Sequence, residues 1–136
     1  MKRALLFAMV LAAPACASAR SSRSTVTARP RLTALAPSEV QLSAASNAEI
    51  ELRGRNFSTR TDAPANTVRI GALELRAVPS SANGTVIRVT LPETVPSGGE
   101  APPARWMSGR YAVTVTTTAG TSDTLLLTIA AGPRNP

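Results

Sequence analysis

The sequence predicts a small antiparallel β-sandwich behind an export leader, and three observations support this fold class. Short segments alternate apolar and polar side chains, as in 50–57, 68–71, 86–91 and 109–115. Gly, Pro or Asn bounds each segment, which is typical of short strands joined by turns. Residues 30–131 are about 100 in number, the usual size of one sandwich and too few for a second domain. We therefore expect one all-β domain of about seven strands.

The N-terminal residues have the pattern of a bacterial export signal. Lys2 and Arg3 form a positive region, and residues 4–13 form an apolar run. This run is shorter than the about 20 residues that span a membrane, and small residues follow it. The alternative is a buried N-terminal helix of the domain, but the charge pattern favours a helical signal peptide over residues 1–19. We therefore expect export to the periplasm, the cell envelope or the extracellular space.

Two cleavage sites compete at the end of this leader. Residues 17–19 (Ala-Ser-Ala) form an A-x-A site. Residues 13–16 (Ala-Pro-Ala-Cys) are similar to a lipobox, in which Cys16 would be lipidated and the leader would end at residue 15. They depart from that pattern at Ala13, where leucine is usual, and at Pro14, where a small residue is preferred. Cys16 is therefore either a lipid anchor, the one membrane contact expected, or a residue of the leader.

Cys16 is the only cysteine, so the folded domain is expected to lack a disulfide and to depend on core packing. Residues 20–29 are small and polar without apolar period, which predicts a disordered linker. Residues 132–136 are predicted to form a loose tail.

The alternation and the turn residues place the strands. Strands are predicted at 32–35, 40–42, 48–53, 67–70, 73–78, 86–91, 110–117 and 124–130. Pro37 ends the first strand because it has no N–H for the ladder, and residues 40–42 continue along the edge. Gly71-Ala72 predicts a type II′ hairpin turn, and Asn83-Gly84 predicts a type I′ turn. The last hairpin turns near Ala119-Gly120. Its predicted core face is Tyr111, Val113, Val115, Leu125, Leu127 and Ile129.

Four sequence motifs occur in a recognisable order. They are Pro30-Arg31-Leu32 with Pro37-Ser38, then Gly54-Arg55-Asn56-Phe57, then Val68-Arg69-Ile70-Gly71, and then Gly109-Arg110-Tyr111-Ala112-Val113-Thr114-Val115. In this order they resemble the IPT/TIG family of immunoglobulin-like (E-set) domains. The resemblance covers nearly all of residues 30–131 and implies an immunoglobulin-like sandwich. It assigns these motifs to the scaffold and not to a binding site.

The residue types of these motifs suggest structural roles. Gly54 is expected to allow a turn that a Cβ would obstruct, and Asn56 to hydrogen-bond its own backbone there. Phe57 is expected to close one end of the sandwich. Tyr111, after Gly109, occupies the place of a tyrosine corner, whose hydroxyl bonds the preceding loop.

Residues 93–108 are longer than the loop that the family usually has at this place. A loop of this length in a compact domain is commonly functional or disordered. It contains Arg105, Trp106 and Met107, and Trp106 is the only tryptophan. Trp106 either folds back over the end of the sandwich or forms, with its two neighbours, a contact for a partner, since Trp and Arg dominate binding hot spots.

The composition argues against catalysis and metal binding. The chain has no histidine, so a triad with a histidine base or an imidazole metal site is excluded. Glu49 and Glu51 share a strand face with Arg53, which favours a solvated ladder of ion pairs over an acid/base pair. Asp62 has no acidic neighbours that would complete a calcium site. We predict no catalytic residue, no metal and no cofactor.

The formal net charge of +7 raises the question of nucleic-acid binding, since Rel-type transcription factors contain a domain of the IPT/TIG family. The outward arginines are expected at 53, 55, 69, 76 and 88. They alternate with glutamates, and the aromatic side chains that stack on single-stranded bases are missing. With an export leader as well, we predict no nucleic-acid partner.

These observations predict a non-catalytic exported module with a structural or protein-interaction role at the cell envelope. Its partner would be an unknown envelope or extracellular protein. Two alternatives remain open. One is a carbohydrate-binding module, because relatives of the family sit beside starch-active domains, although only Trp106 would be available for stacking on a sugar. The other is an accessory subunit of an envelope enzyme.

Overall fold

The computed structural model describes residues 28–131, apart from 42, 44, 46 and 61–64. Its strands are β1 (Arg31–Ala36), β2 (Glu39–Gln41), β3 (Glu49–Arg55), β4 (Asn66–Ile70), β5 (Leu73–Val78), β6 (Val86–Thr90), β7 (Thr94–Val95), β8 (Ala104–Arg105), β9 (Gly109–Thr117), β10 (Gly120–Thr121) and β11 (Leu125–Ala130). No α-helix occurs in this part of the chain, and so none there has the length and hydropathy that a membrane span requires.

The strands form two packed sheets. One sheet has the order β1-β3-β6 and is antiparallel throughout. The other has the order β2-β11-β9-β4-β5, with β10 paired to β9. β7 and β8 form a separate two-stranded ribbon. The predicted all-β, immunoglobulin-like sandwich is therefore confirmed.

The core forms because each main strand turns alternate residues inward. In β3 and β6, Leu52 lies opposite Ile87 and Ile50 lies opposite Val89, and all four are buried. In β9 and β11 the inward residues Val113, Val115, Leu127 and Ile129 are also buried, as predicted. Residues from both sheets thus belong to one apolar cluster, and full burial of each such side chain contributes about 1.5–3 kcal/mol.

β2 is an edge strand, as predicted for 40–42, and it lies at the edge of the second sheet. After Pro37 the chain crosses to the second sheet, where β2 pairs in parallel with β11. Ile129 lies opposite Val40 there, and the Thr128 N–H donates to the Ser38 carbonyl oxygen at 2.9 Å. Leu42 lies outside the described residues.

The two predicted glycine turns have different outcomes. A type II′ turn requires positive φ at its first central residue only. Gly71 has φ 58° and Ala72 does not have positive φ, and Ile70 pairs with Leu73 across this turn. The prediction of a type I′ turn at Asn83-Gly84 is wrong, because Asn83 does not have positive φ. There the Gly84 N–H donates to the Ser81 carbonyl oxygen (2.9 Å), and only Gly84 has positive φ, so a turn without left-handed residues precedes it.

Gly54 lies inside β3, so the expectation that it forms a turn is wrong. Glycine is required there because two segments approach closely. A Cβ would overlap the carbonyl oxygen of Arg31 and would lie 2.5 Å from Cζ of Phe57. The turn conformation falls instead on Asn56, which has φ 61°. The Asn56 side chain was predicted to hydrogen-bond its own backbone. Its amide instead donates to the carbonyl oxygen of Arg29 (3.1 Å).

Phe57 closes one end of the sandwich, as predicted. Its side chain is 4% exposed, and its N–H donates to the carbonyl oxygen of Gly84 at 3.0 Å. The start of β1 lies at this end, since Arg31 is opposite Arg55. The turn after β9 lies there too, because Thr117 and Phe57 line one cavity. We call this the Phe57 end.

The opposite end is the Trp106 end. β6 ends there, and the Trp106 indole N–H donates to the carbonyl oxygen of Pro92. β9 begins there, and Gly109 lies opposite Ile129 near the end of β11. The described chain therefore enters at the Phe57 end and leaves at the Trp106 end.

Three predicted segments lie wholly or partly outside the described residues. The signal peptide with Cys16 and most of the predicted linker lie in residues 1–27, and the predicted tail is 132–136. The last two residues of the predicted linker, 28 and 29, are described. Arg29 is held to the sandwich by Asn56 and by an ion pair with Asp123 at 3.3 Å.

Candidate functional site

Residues 93–108 form an ordered excursion at the Trp106 end. β7 and β8 pair within it, with Thr94 opposite Arg105 and Val95 opposite Ala104. Met107 and Ser108 then lead directly into β9. The excursion therefore has a defined hairpin shape, which the sequence alone did not predict.

Trp106 folds back under this excursion. Its side chain is 5% exposed, and its indole N–H donates to the Pro92 carbonyl oxygen at 2.8 Å. Its ring meets that of Tyr111 edge-on, with centroids 5.1 Å apart. A buried tryptophan normally satisfies its N–H in this way. The hypothesis that Trp106 is an exposed partner contact is therefore wrong, and the alternative that it covers the end of the sandwich is confirmed.

Tyr111 fastens the start of β9 to the excursion. Its hydroxyl donates to the Met107 carbonyl oxygen (2.8 Å) and accepts from the Met107 N–H (3.2 Å). This is the hydrogen bond to the preceding loop that the sequence predicts. The ring packs over Gly71, where an added Cβ would lie 2.9 Å from Cδ1 of Tyr111. Gly71 and Tyr111, from two separate motifs, thus meet at this end, and Gly109 begins β9 beside them.

We expect Tyr111→Phe to lower the free energy of unfolding by about 1–2 kcal/mol, because both backbone groups of Met107 lose their partner. Urea denaturation followed by Trp106 fluorescence measures this. The matched control is Thr116→Val, which removes an exposed hydroxyl bonded to Thr121 and should cost about 0.5 kcal/mol or less. Equal losses in the two variants would contradict a role for the Tyr111 hydroxyl.

Arg105 and Met107 flank Trp106 and point to solvent. Met107 is 72% exposed, and the Arg105 side chain is 85% exposed. The Arg105 guanidinium lies 3.9 Å from a carboxylate oxygen of Glu93, a long and solvated ion pair that leaves Arg105 free to engage another group. Two of the three residues predicted to contact a partner are therefore available for contact.

An apolar groove of about 560 Å³ lies at the same end of the sandwich, between the excursion and β5. It is lined by Leu73, Leu75, Pro92, Thr94, Val95, Pro96, Ser97, Gly98, Gly99, Ala101 and Pro103. β5 is the last strand of its sheet, and an uncovered edge strand invites pairing with other chains. Residues of the excursion therefore lie near this edge strand, and an apolar groove separates them from it.

The outer sheet faces carry networks of ion pairs. Glu51 lies 2.6 Å from Arg53 and 3.3 Å from Arg88. Glu74 lies 2.6 Å from both Arg69 and Arg76. The hydrogen bond from Arg53 is the main cause that lowers the pKa of Glu51. The charge of Arg53 and the hydrogen bond and charge of Arg88 lower it further, while desolvation opposes them. Hydrogen bonds from Arg69 and Arg76 lower the pKa of Glu74.

These networks confirm the predicted ladder of ion pairs. Four of the five outward arginines named from the sequence have a glutamate partner.

The lowered pKa of Glu51 makes its contribution to stability pH-dependent. The unfolded chain binds the proton more tightly, so the contribution is fully present above the ordinary pKa of a glutamate. It is lost as the pH falls through the lowered pKa of the folded state. We expect Glu51→Gln to be less stable than the parent at neutral pH and equal to it in strong acid, as measured by urea denaturation across this range. A difference that stays constant with pH would contradict this expectation.

The described residues provide no assembled reaction centre. No group of three acidic, cysteine or histidine side chains within 28–131 could hold a metal ion, the segments at 42, 44, 46 and 61–64 aside. Asp62, considered for calcium, lies in the undescribed segment. The acidic groups that do cluster are bound to arginine, which favours a scaffold over an acid/base site.

Asn66 is the structural residue that sequence reasoning missed. It is fully buried, at 0% exposure. Its amide oxygen accepts from the Ser58 N–H (2.7 Å), and its amide nitrogen donates to the carbonyl oxygens of Ser58 (2.8 Å) and Val78 (2.9 Å). The only sequence signal was an asparagine immediately before the strand predicted at 67–70, two residues before the inward Val68.

Comparison with known proteins identifies no family and a weakly similar solved structure. No family model matches the chain, and no curated protein matches it. Among solved structures the chain is similar to SGBP-B from a complex xyloglucan utilization locus in Bacteroides uniformis, with 15% identity and a TM-score of 0.49. The match covers 76% of this chain and 24% of that one, so the chain spans about a quarter of that protein.

Proposed function

We propose that this chain is a non-catalytic, exported immunoglobulin-like module of the IPT/TIG type that contacts a partner protein at the bacterial cell envelope through its Trp106 end. The observation that carries the proposal is the placement of Met107, Arg105 and the apolar groove at the end opposite the chain's entry. An N-terminal tether at the Phe57 end would hold the module so that this surface points away from the anchor.

The resemblance to IPT/TIG domains is supported by where the motifs lie. They contribute to β1, β3, β4 and β9, in that order. The glycine of the third motif, Gly71, packs under the tyrosine of the fourth, Tyr111, and the glycine of the second, Gly54, packs under Phe57. In each case the glycine leaves room for the aromatic ring, which supports a structural role for both residues.

The side chains at the Trp106 end are suited to contact with another protein. An exposed methionine at the same end as an apolar groove offers an adaptable contact, because its side chain is flexible and polarisable. The exposed arginine at this end offers hydrogen bonds and charge. Together they fit a partner with an apolar segment that is bordered by a carboxylate or by backbone carbonyl groups.

Site-specific photo-crosslinking tests this surface. A photoreactive residue in place of Met107 should give a discrete adduct in intact cells. Its matched control replaces Leu126 on β11, which is the other large exposed apolar side chain among the described residues (51% exposed). An adduct at position 107 alone supports the proposal. Arg105→Glu should then reduce the yield of that adduct. No adduct at 107, or equal adducts at both positions, would contradict it.

The adduct also addresses the alternative of an accessory subunit, because mass spectrometry identifies its second component. If that component is an envelope enzyme, the module is an accessory subunit and the contact surface stays the same.

The anchor is a separate part of the proposal, motivated by Cys16 and the polar linker of the sequence. Cys16→Ser should release the protein from the membrane fraction if Cys16 is lipidated. Mass spectrometry of the mature N-terminus then gives an independent answer, since a start at Cys16 carries lipid and a start at Arg20 does not. A variant that still fractionates with membranes would show that Cys16 is not the anchor.

A carbohydrate-binding role is the rival proposal, and the placement of the aromatic rings weighs against it. Within the described residues Phe57 and Trp106 are buried and Tyr111 is half-buried, so they present no flat platform for a sugar ring. We expect no saturable heat of binding in isothermal titration calorimetry across a panel of oligosaccharides. A saturable binding heat with one of them would favour the rival.

A further inference from the structure

We propose that the Phe57 end docks on the surface of a membrane that contains anionic phospholipids. Three arginines there, Arg29, Arg31 and Arg55, form what we call the arginine cluster, and they bind the headgroup phosphates. The inference goes beyond the proposed function, from which it takes only the location at the cell envelope. It concerns the end of the sandwich opposite the partner surface and is tested without a lipid on Cys16.

Two members of the arginine cluster face each other at the end of the first sheet. Arg31 of β1 lies opposite Arg55 of β3, and both side chains are exposed. Side chains at directly opposite positions of an antiparallel pair share one face of the sheet with Cβ atoms about 5 Å apart, and like charges there repel each other. An anion held between the two guanidinium groups would remove this repulsion.

A single carboxylate balances the arginine cluster within the described residues. Asp123 lies 3.3 Å from Arg29 and 3.8 Å from Arg31, and all three side chains are more than half exposed. Such solvated ion pairs are weak and leave both guanidinium groups able to bind another anion. Arg55 has no ion-pair partner in the described part of the chain. The cluster therefore has an excess of positive charge, which attracts anionic ligands.

A cavity of about 340 Å³ opens beside these side chains. Its lining consists of Ala28, Arg29, Arg31, Asn56 and Asp123. Arg29 is kept at the wall of the cavity because the Asn56 amide donates to its carbonyl oxygen at 3.1 Å. The planar fork of donors on a guanidinium group matches the oxygens of a phosphate. The cavity thus offers a phosphate group two guanidinium groups at an open, solvated surface.

The charges at the Trp106 end are balanced, in contrast to those at the Phe57 end. The ionised residues there include Glu49, Glu74, Glu93 and Glu100 together with Arg69, Arg105 and Arg110. Arg69 is paired with Glu74, and Arg105 lies near Glu93. The positive charge of the domain is therefore concentrated at one end, which would orient the domain on an anionic surface with its Trp106 end outward.

The sequence that leads to the Phe57 end favours a bilayer over a soluble anion as the occupant. Residues 17–31 contain four arginines and no acidic residue. A start at either predicted cleavage site keeps all four of them. Basic residues that lie next to an anchoring segment bind anionic phospholipids. The arginine cluster and the entry of the chain share one end, so a membrane that holds the N-terminus would also meet the cluster.

Co-sedimentation with lipid vesicles tests the proposal on the full chain in a Cys16→Ser background, so that no acyl chain contributes. The vesicles consist of phosphatidylcholine with or without phosphatidylglycerol. The test variants are Arg55→Gln and Arg31→Gln/Arg55→Gln. The matched control is Arg69→Gln/Arg110→Gln, which removes the same charge near the Trp106 end. Any binding through the apolar N-terminal residues is common to all variants, and equal urea midpoints show that the double variants are equally folded.

We expect the parent to prefer vesicles with phosphatidylglycerol and to lose this preference in concentrated salt. Binding should weaken about fivefold in Arg55→Gln and at least about tenfold in Arg31→Gln/Arg55→Gln, since each arginine near an anionic surface contributes about a factor of five. The control should change it by less than about threefold, because its arginines lie at the other end.

Equal weakening in the two double variants, or no preference for phosphatidylglycerol, would overturn the proposal. Binding to a short DNA duplex as tight as to the anionic vesicles would also overturn it, because the arginine cluster would then bind polyanions in general. None of these outcomes changes the crosslinking result at Met107, so the two proposals fail independently.

Discussion

Gly54→Ala is expected to lower the free energy of unfolding by about 3 kcal/mol, because overpacking of a closed site costs this much when the neighbours cannot move. The new methyl group would overlap the Arg31 carbonyl oxygen, which belongs to the backbone of β1, and would press on the ring of Phe57. Relief requires β1 to move away from β3 or Phe57 to leave the end of the sandwich. Both changes expose apolar surface. Urea denaturation followed by Trp106 fluorescence measures the loss.

The matched control for this prediction is Gly98→Ala. A Cβ at Gly98 meets nothing within 4 Å, but its φ of 84° lies in the left-handed region. Alanine there should cost only the conformational strain, about 1–2 kcal/mol. If Gly54→Ala costs no more than Gly98→Ala, the close approach to Arg31 and Phe57 does not explain the glycine.

Asn66→Ala is expected to have a similar effect, about 3 kcal/mol. The substitution leaves the Ser58 N–H and the Val78 carbonyl oxygen without the side-chain amide that pairs with them, and each unpaired buried group costs about 1–3 kcal/mol. The Ser58 carbonyl oxygen keeps a second donor, the Ser80 hydroxyl, at 2.8 Å. Asn66 therefore joins β4, β5 and the segment after Phe57, and all three should loosen together.

Asn83→Ala is the control for this variant, because Asn83 is an exposed asparagine that accepts hydrogen bonds from the hydroxyls of Ser81 and Thr85. Its loss should cost about 1 kcal/mol or less, since water replaces the amide. Amide hydrogen exchange adds a second measurement. In Asn66→Ala the Ser58 amide should exchange much faster. An unchanged Ser58 amide, or equal losses of stability in the two variants, would contradict the proposed role of Asn66.

The burial of Trp106 has a consequence for any functional study. The only tryptophan is bound to Pro92 and packed on Tyr111, so its fluorescence reports on folding and on movement of the excursion. It does not report directly on a ligand at the surface. Met107 and Arg105, on either side of Trp106 in the sequence, are the residues to label or replace in binding experiments.

Most of the fold could be predicted from local patterns. Alternation identified β3, β6, β9 and β11, because a strand with one buried face must alternate. Gly71 indicated its hairpin turn for a similarly local reason, since positive φ in a two-residue loop favours glycine. The tyrosine corner was also accessible, since Tyr111 follows Met107 closely enough for its hydroxyl to reach the backbone.

Contacts between distant segments decided the rest. The need for glycine at position 54 comes from Arg31, and the need for asparagine at position 66 comes from Ser58 and Val78. The transfer of β2 to the second sheet depends on pairing with β11, at the other end of the chain. The burial of Trp106 depends on a carbonyl group at Pro92. The sequence by itself determined which segments extend and which face of each is apolar, since both depend on neighbouring residues. Only the tertiary structure decided which backbones touch and which side chains remain at the surface, because those outcomes depend on how the two sheets pack.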